Sequence, residues 1–144
     1  MITIPAKDLY NAAKNVKQTE IQPLPILNHA RLSLTDDGLK ITTARLTDEG
    51  IKSKTDGAHF WGNGERWETC VPMVHMVECT PNGYRGATSK RKFYPFLDWL
   101  RVMAEFKETL EMEFNPSVQI LTIRAGGSRT EFKCIDAQEF PPCR

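Results

Sequence analysis

Residues 22–34 read QPLPILNHARLSL, and this stretch decides what kind of chain follows. Pro23 and Pro25 flank a single leucine. Proline has no amide hydrogen to donate and its ring fixes φ, so helix is excluded and an extended approach is expected. Directly afterwards the pattern alternates, with Ala30, Leu32 and Leu34 on one side of a strand and His29, Arg31 and Ser33 on the other. A half-buried strand starts here, and whatever precedes it has ended.

Upstream, MITI alternates as a short strand, and Pro5 is expected at the first position of a helix running to about Gln18. Leu9, Ala12, Ala13 and Val16 give that helix its i, i+3, i+4, i+7 apolar stripe. Downstream, TDDG with Asp37-Gly38 predicts a tight hairpin into LKITTARL, and a third strand follows around GIKSKT.

The same order returns later in the chain. Sliding RKFYPFLDWLRVMAEF onto MITIPAKDLYNAAKNV places Pro95 on Pro5, Trp99 on Leu9, Val102 on Ala12, Met103 on Ala13 and Phe106 on Val16. TLEMEF, VQILTIR and TEFKCI then read as three strands separated by Asn115-Pro116-Ser117 and Gly126-Gly127-Ser128. The expectation is a single α+β domain over residues 1–144 made of two pseudo-symmetric β-α-β-β-β repeats. These run from about 1 to 56 and about 90 to 136, with an irregular connection over about 57–89 in which WETCVPMVHMV is a strand. Each repeat has one apolar helix face that it cannot cover alone, and a twofold pairing on antiparallel sheets buries both.

Nineteen basic and eighteen acidic residues leave a net charge of +1, so bulk charge selects neither nucleic acid nor membrane, and any such partner must be met by a local patch. No apolar run is long enough to cross a bilayer, and MITIPAKDLY lacks a signal peptide's apolar centre, which reads as cytoplasmic. Cys70, Cys79, Cys134 and Cys143 are irregularly spaced and read as free thiols.

Catalytic and metal-binding patterns are weak. Cys70, His75 and Cys79 lack the spacing by which one tight turn presents two ligands, and on an alternating strand the two cysteines face opposite ways. Gly62-Asn63-Gly64 has no helix after it to supply phosphate-binding amides, so a hairpin between the segments bearing Trp61 and Trp67 is expected instead. No catalytic residue, metal ligand or cofactor is expected. Phe60, Trp61, Trp67 and Tyr84 fit either an exposed patch for a protein partner or the capping of a sheet end.

Leu24-Pro25-Ile26-Leu27 after a helix and before a hairpin, a second proline-led helix, and the closing Asp136-Ala137-Gln138-Glu139-Phe140-Pro141 together resemble the N-terminal domain of the bacterial sliding clamp, the DNA polymerase III beta subunit. The resemblance spans nearly the whole chain and is weakest over about 43–90. Three departures mark a divergent member. Ile21 and Gln22 stand where the family usually has a basic residue, TTARLTDE (42–49) replaces a more acidic run, and His59–Trp67 looks like an insertion.

The resemblance implies a DNA-clamp fold, no catalysis, and helices facing duplex DNA through sequence-independent phosphate contacts, the kind of contact sliding permits. Lys7, Lys14 and Lys17, opposite the Leu9 stripe, and Arg101 on the second helix would be the DNA-facing cations, although lysines opposite an apolar stripe are also what any solvated helix shows. Lys90, Arg91 and Lys92 read rather as a charged strand edge. Ring closure through sheet edges would use the strand carrying Thr130 and Phe132, and Phe132 fits core and interface equally. A clamp protomer of the family has three such domains. The chain would then be one of them or a relative that self-associates into a ring, with the replicative polymerase and clamp loader held by domains outside it. A clamp-fold interaction module that no longer binds DNA is the alternative.

Overall fold

Ile2 and Ile4 alternate with Thr3 and Pro5, and in the computed structural model this stretch is strand β1 (Ile2–Pro5), with both isoleucines buried. The structure describes residues 1–18, 22–62, 64–73, 79–80, 83–84 and 95–142. Pro5 ends β1 and, at φ −62° and ψ 127°, caps helix α1 (Ala6–Val16) from outside, so the helix is shorter at both ends than expected. Its termini are satisfied by neighbours. The Ala6 amide donates to the Glu108 carbonyl at 2.9 Å, and the Thr43 hydroxyl donates to the Val16 carbonyl. Asp8 in the first turn and Lys14 in the last complement the helix dipole.

The LPIL segment corrects an expectation. Pro25–Asn28 form one 3-10 turn rather than an extended approach, and the Leu27 amide donates to the Leu24 carbonyl at 3.0 Å. Proline is tolerated there because the first amides of a helical turn have no internal acceptor to lose. Strand β2 (His29–Thr35) follows, then β3 (Gly38–Thr47) and β4 (Gly50–Ala58). The loop joining β2 to β3 is Asp36-Asp37, since Thr35 already pairs with Gly38. Gly38 is needed as glycine: its φ is +135°, and a Cβ there would stand 2.8 Å from the Ala58 carbonyl oxygen.

The remaining strands are β5 (Trp67–Pro72), the short pair β6 (Cys79–Thr80) and β7 (Gly83–Tyr84), then β8 (Thr109–Asn115), β9 (Ile120–Ala125), β10 (Ser128–Lys133) and β11 (Ile135–Asp136). One sheet has the order β11-β5-β2-β3-β4 and the other β1-β8-β9-β10. The halves exchange their leading strands. β1, which precedes α1, pairs with β8, whereas β5 pairs with β2. The continuations are exchanged in the same sense: after β4 the chain bridges β1, with Thr3 and Trp61 trading amide–carbonyl bonds at 2.7 Å, and after β10 strand β11 pairs with β5. This twofold correspondence relates β1-α1-β2-β3-β4 to β5-α2-β8-β9-β10, so β5, expected in the connection, takes the place of the leading strand expected near residue 90, which lies outside the described residues.

It also removes the expected hairpin between Trp61 and Trp67. Trp61 bridges β1, whereas Trp67 pairs with Leu34. WETCVPMVHMV is a strand only as far as Pro72 within the described residues, and the basic run at 90–92 and His75 lie outside them.

Helix α2 (Pro95–Phe106) forms where expected but faces differently. Phe96, Leu97, Leu100 and Ala104 are buried, while Val102 is 43% and Phe106 72% exposed. Apolar residues encircle much of this helix, so two stripes are legible in the sequence, and packing selects the one led by Phe96 and Leu100. The helices correspond one residue further along than the prolines suggest, with Leu97 matching Ala6, Leu100 matching Leu9 and Ala104 matching Ala13.

α1 and α2 pack against each other, and one core unites their buried stripes with Ile2, Ile4, Leu32, Ile41, Leu110, Met112, Leu121 and Ile123 from both sheets. Burying each such side chain stabilises by about 1.5–3 kcal/mol relative to exposure. A second cluster, Leu27, Ala44, Cys70 and Phe140, covers the opposite face of the first sheet, where the Arg31 guanidinium lies 5.4 Å from the Phe140 ring centroid. The polar side of β2 is therefore covered as well, and His29 and Ser33 are buried.

Candidate functional site

The exposed side of α1 is built by its periodicity. With Leu9, Ala13 and Val16 inward, Lys7, Asn11 and Lys14, at i, i+4 and i+7, share the solvent face. Lys14 Nζ lies 5.9 Å from the Tyr10 ring centroid. Lys17 follows the helix end and is half-buried, and the neighbouring Gln18 donates from Nε2 to the Thr43 hydroxyl at 2.9 Å. Asn15 donates to Asp56 Oδ2 at 2.8 Å, which seats the last turn of α1 on β4.

The corresponding face of α2 is different in kind. Arg101 is exposed there, but Asp98 and Glu105 outnumber it, and Val102 and Phe106 share the face. The four candidate cations thus divide into a basic α1 group and a single arginine in an acidic and apolar setting.

Of the two candidate interface residues on β10, Phe132 is 7% exposed and lies edge-on to Phe96 and Trp99, with ring centroids at 5.4 and 5.7 Å. Its side chain is core. Thr130 is half-buried. β10 ends its sheet, and the Cys134 amide donates to the Gln119 carbonyl at 2.7 Å. By the alternation of antiparallel pairing, Thr130 and Phe132 then direct their backbone groups to β9, while Arg129, Glu131 and Lys133 direct theirs outward. The outward side chains are charged, and Arg129 pairs with Glu131 at 2.7 Å.

The other candidates acquire ordinary roles. Cys70 and Cys134 are buried thiols whose pKa values burial pushes up to about 12 and about 11, which disfavours the thiolate a metal would need. Trp67 packs on Phe114 with centroids at 5.3 Å and Phe60 is half-buried against the core, whereas Trp61 is 63% exposed. His29 is buried, with Nδ1 3.0 Å from the Pro25 carbonyl oxygen, and burial lowers its pKa. Gln22 is also buried: its amide donates to Asn28 Oδ1 at 2.8 Å and its Oε1 accepts from the Leu46 amide at 2.9 Å. Arg45, Lys52 and Lys54, which nothing in the linear pattern singles out, lie beside the end of α1. Only the β3–β4 register, anchored by Thr43 on Val16, reveals this.

Among solved structures, the chain superimposes on the DNA polymerase III subunit beta of Pseudomonas aeruginosa with a TM-score of 0.64, at 18% identity, over 100% of this chain and 32% of that one. The whole path of the chain is matched. It has the sliding-clamp fold. The DNA polymerase sliding clamp of Bacillus subtilis is similar at TM-score 0.65 and 14% identity over 99% of this chain and 33% of that one. That of Caulobacter crescentus is similar at 0.62 and 19%, over 99% and 32%. The chain spans about a third of the length of these clamps. No protein-family model matches the sequence, and no curated protein matches it. Identities this low, over a full-length match, fit a divergent clamp-fold chain.

Proposed function

We propose that this clamp-fold domain is a non-catalytic part of a DNA sliding clamp, the counterpart of its first domain, and holds duplex DNA through phosphate contacts made by α1. The observation that carries the reading is the solvent face of α1, where Lys7, Asn11 and Lys14 stand together and the one exposed acid, Asp8, lies at its flank in the first turn. Lysine ammonium groups attract phosphate without reading sequence, so a duplex held in this way can still slide. Lys17 extends the group, and Arg101 is its weakest member because Asp98 and Glu105 offset it.

In the same reading the edge of β10 contributes to ring closure through the outward backbone groups of Arg129, Glu131 and Lys133, which flank Thr130 and Phe132, and not through the Phe132 ring. Polymerase and clamp loader engage parts of the complete ring beyond these 144 residues, and the protein works in the cytoplasm. Among the described residues no helix is long and apolar enough to cross a membrane.

The test is fluorescence anisotropy of a linear duplex across a salt series. Log affinity should fall linearly with log salt by about 0.9 for each phosphate neutralised. Replacing Lys7 and Lys14 together by glutamine should make the slope shallower by about 1.8, while leaving the fold intact. An unchanged slope would remove α1 from the contact. One observation favours a second reading, a clamp-fold protein-interaction module without DNA: the solvent face of α2 presents Val102 and Phe106 beside two acids. Absence of duplex binding at the lowest salt would select it.

A further inference from the structure

Beyond α1, the same side of the molecule carries a second group of cations on the β3–β4 hairpin. Thr43 donates to the Val16 carbonyl and Asp56 accepts from Asn15 at 2.8 Å, so these two residues mark the face of β3 and β4 that looks toward α1. Side chains two apart on a strand share a face, and so do residues paired across an antiparallel ladder. Lys54 pairs with Thr43, and Arg45 pairs with Lys52. All three cations therefore stand on the helix side of the hairpin, just past the point where α1 stops, and all three are exposed.

We propose that Arg45, Lys52 and Lys54 form a second phosphate-contact element that continues the basic face of α1 and takes the sugar-phosphate backbone of duplex DNA. The proposal rests on the clamp reading above and extends it to a part of the chain outside both helices.

Three observations support it. First, Arg45 and Lys52 lie directly opposite each other, an arrangement in which like charges destabilise a sheet. Only Lys52 has a partner, Glu49 at 3.3 Å, and Arg45 and Lys54 have no ion pair among the described residues. A cation pair that weakens its own hairpin is accounted for by an anion from outside. Second, these residues line an open groove of about 410 Å³ together with Gln18 and Thr47, while the acids Asp48 and Glu49 lie in the turn at its end. No hydrophobic residue is among its lining side chains, which set three cations against these two acids. Third, the hairpin is two-sided. Leu46 and Ile51 pair on the opposite face at the hairpin's end, so Arg45, Lys52 and Lys54 stand together on the side that α1 shares, while Lys40, farther along β3, lies on the other face.

The test uses the 144-residue chain and the linear duplex salt series, with thermal unfolding measured alongside. Arg45→Gln with Lys54→Gln should weaken duplex binding and make the salt slope shallower by about 1.8, with Tm unchanged or raised. Arg45→Glu should raise Tm, because the new carboxylate faces Lys52, and should weaken binding further. Opposite movements of stability and affinity are not expected from a residue that merely supports the fold. If the hairpin variants keep the slope of the unaltered chain while the Lys7 and Lys14 variant loses it, the hairpin proposal fails and the α1 reading stands. If the unaltered chain binds no duplex, both fail. A hairpin variant that keeps its duplex affinity but loses binding to heparin would also overturn the proposal. Lower Tm accompanying lost binding would show a structural role and would overturn it as well.

Discussion

His29 shows how a single residue ties the fold to solution conditions. Its ring is 3% exposed, with Nδ1 3.0 Å from the Pro25 carbonyl oxygen, so the 3-10 turn and the start of β2 are joined through the imidazole. Burial lowers its pKa below 6.5, and the Pro25 hydrogen bond opposes this only in part. A lowered folded pKa means that the unfolded chain binds more protons as the solution is acidified. The stabilising contribution is thus fully present above pH 6.5 and is lost as the pH falls through the folded value. Thermal unfolding between about pH 8 and 5 should show Tm falling on the acid side, and His29→Gln should flatten that fall. An equally steep fall in the variant would move the effect to other groups. The inward side chain of Phe132 belongs to the same scale: alternation placed it on one face of β10, and only packing against Phe96 and Trp99 shows that this face is core.

Among the elements, α2 is the sharpest test of packing over pattern. Trp99, Val102, Met103 and Phe106 form as good an apolar stripe in sequence as Phe96, Leu97, Leu100 and Ala104, and the two differ by a rotation of the helix. Leu100→Ala should cost about 2–5 kcal/mol by leaving a cavity, whereas Phe106→Ser should fall within about 0.5 kcal/mol of the unaltered chain. Urea unfolding measures both, and the reverse order would mean that the helix sits in the other register. The existence and order of the helices and of the hairpins joining β2, β3 and β4 and joining β8, β9 and β10 were legible, because proline, Asp-Gly and Gly-Gly punctuation is local chemistry, whereas Trp61 and Trp67, expected to share a hairpin, pair with β1 and β2 instead. Three features were not, since each depends on distant partners: the 3-10 turn at Pro25, the exchange of β1 and β5 between sheets, and the covering of the second face of β2 by Phe140 and Leu27. The same limit applied to the candidate site. The α1 lysines follow from helical spacing, but Arg45, Lys52 and Lys54 require the β3–β4 register.

For the whole molecule, the two-sheet architecture separates two surfaces by charge. The helix side carries Lys7, Lys14 and the hairpin cations. On the outer face of the second sheet two cations are paired, Arg124 with Glu113 at 3.8 Å and Arg129 with Glu131 at 2.7 Å, and the exposed Lys133 is offset by the exposed Glu111 on the same face. Polyanion should therefore approach from one direction only. The most direct measurement is amide chemical-shift mapping by NMR of the labelled chain as a linear duplex is added at low salt. Shifts confined to Lys7, Asn11, Lys14 and the segment from Arg45 to Lys54, weakening together as salt rises, are expected. Shifts centred on the outer sheet around Arg124 and Arg129, or none at any duplex concentration, would contradict the account.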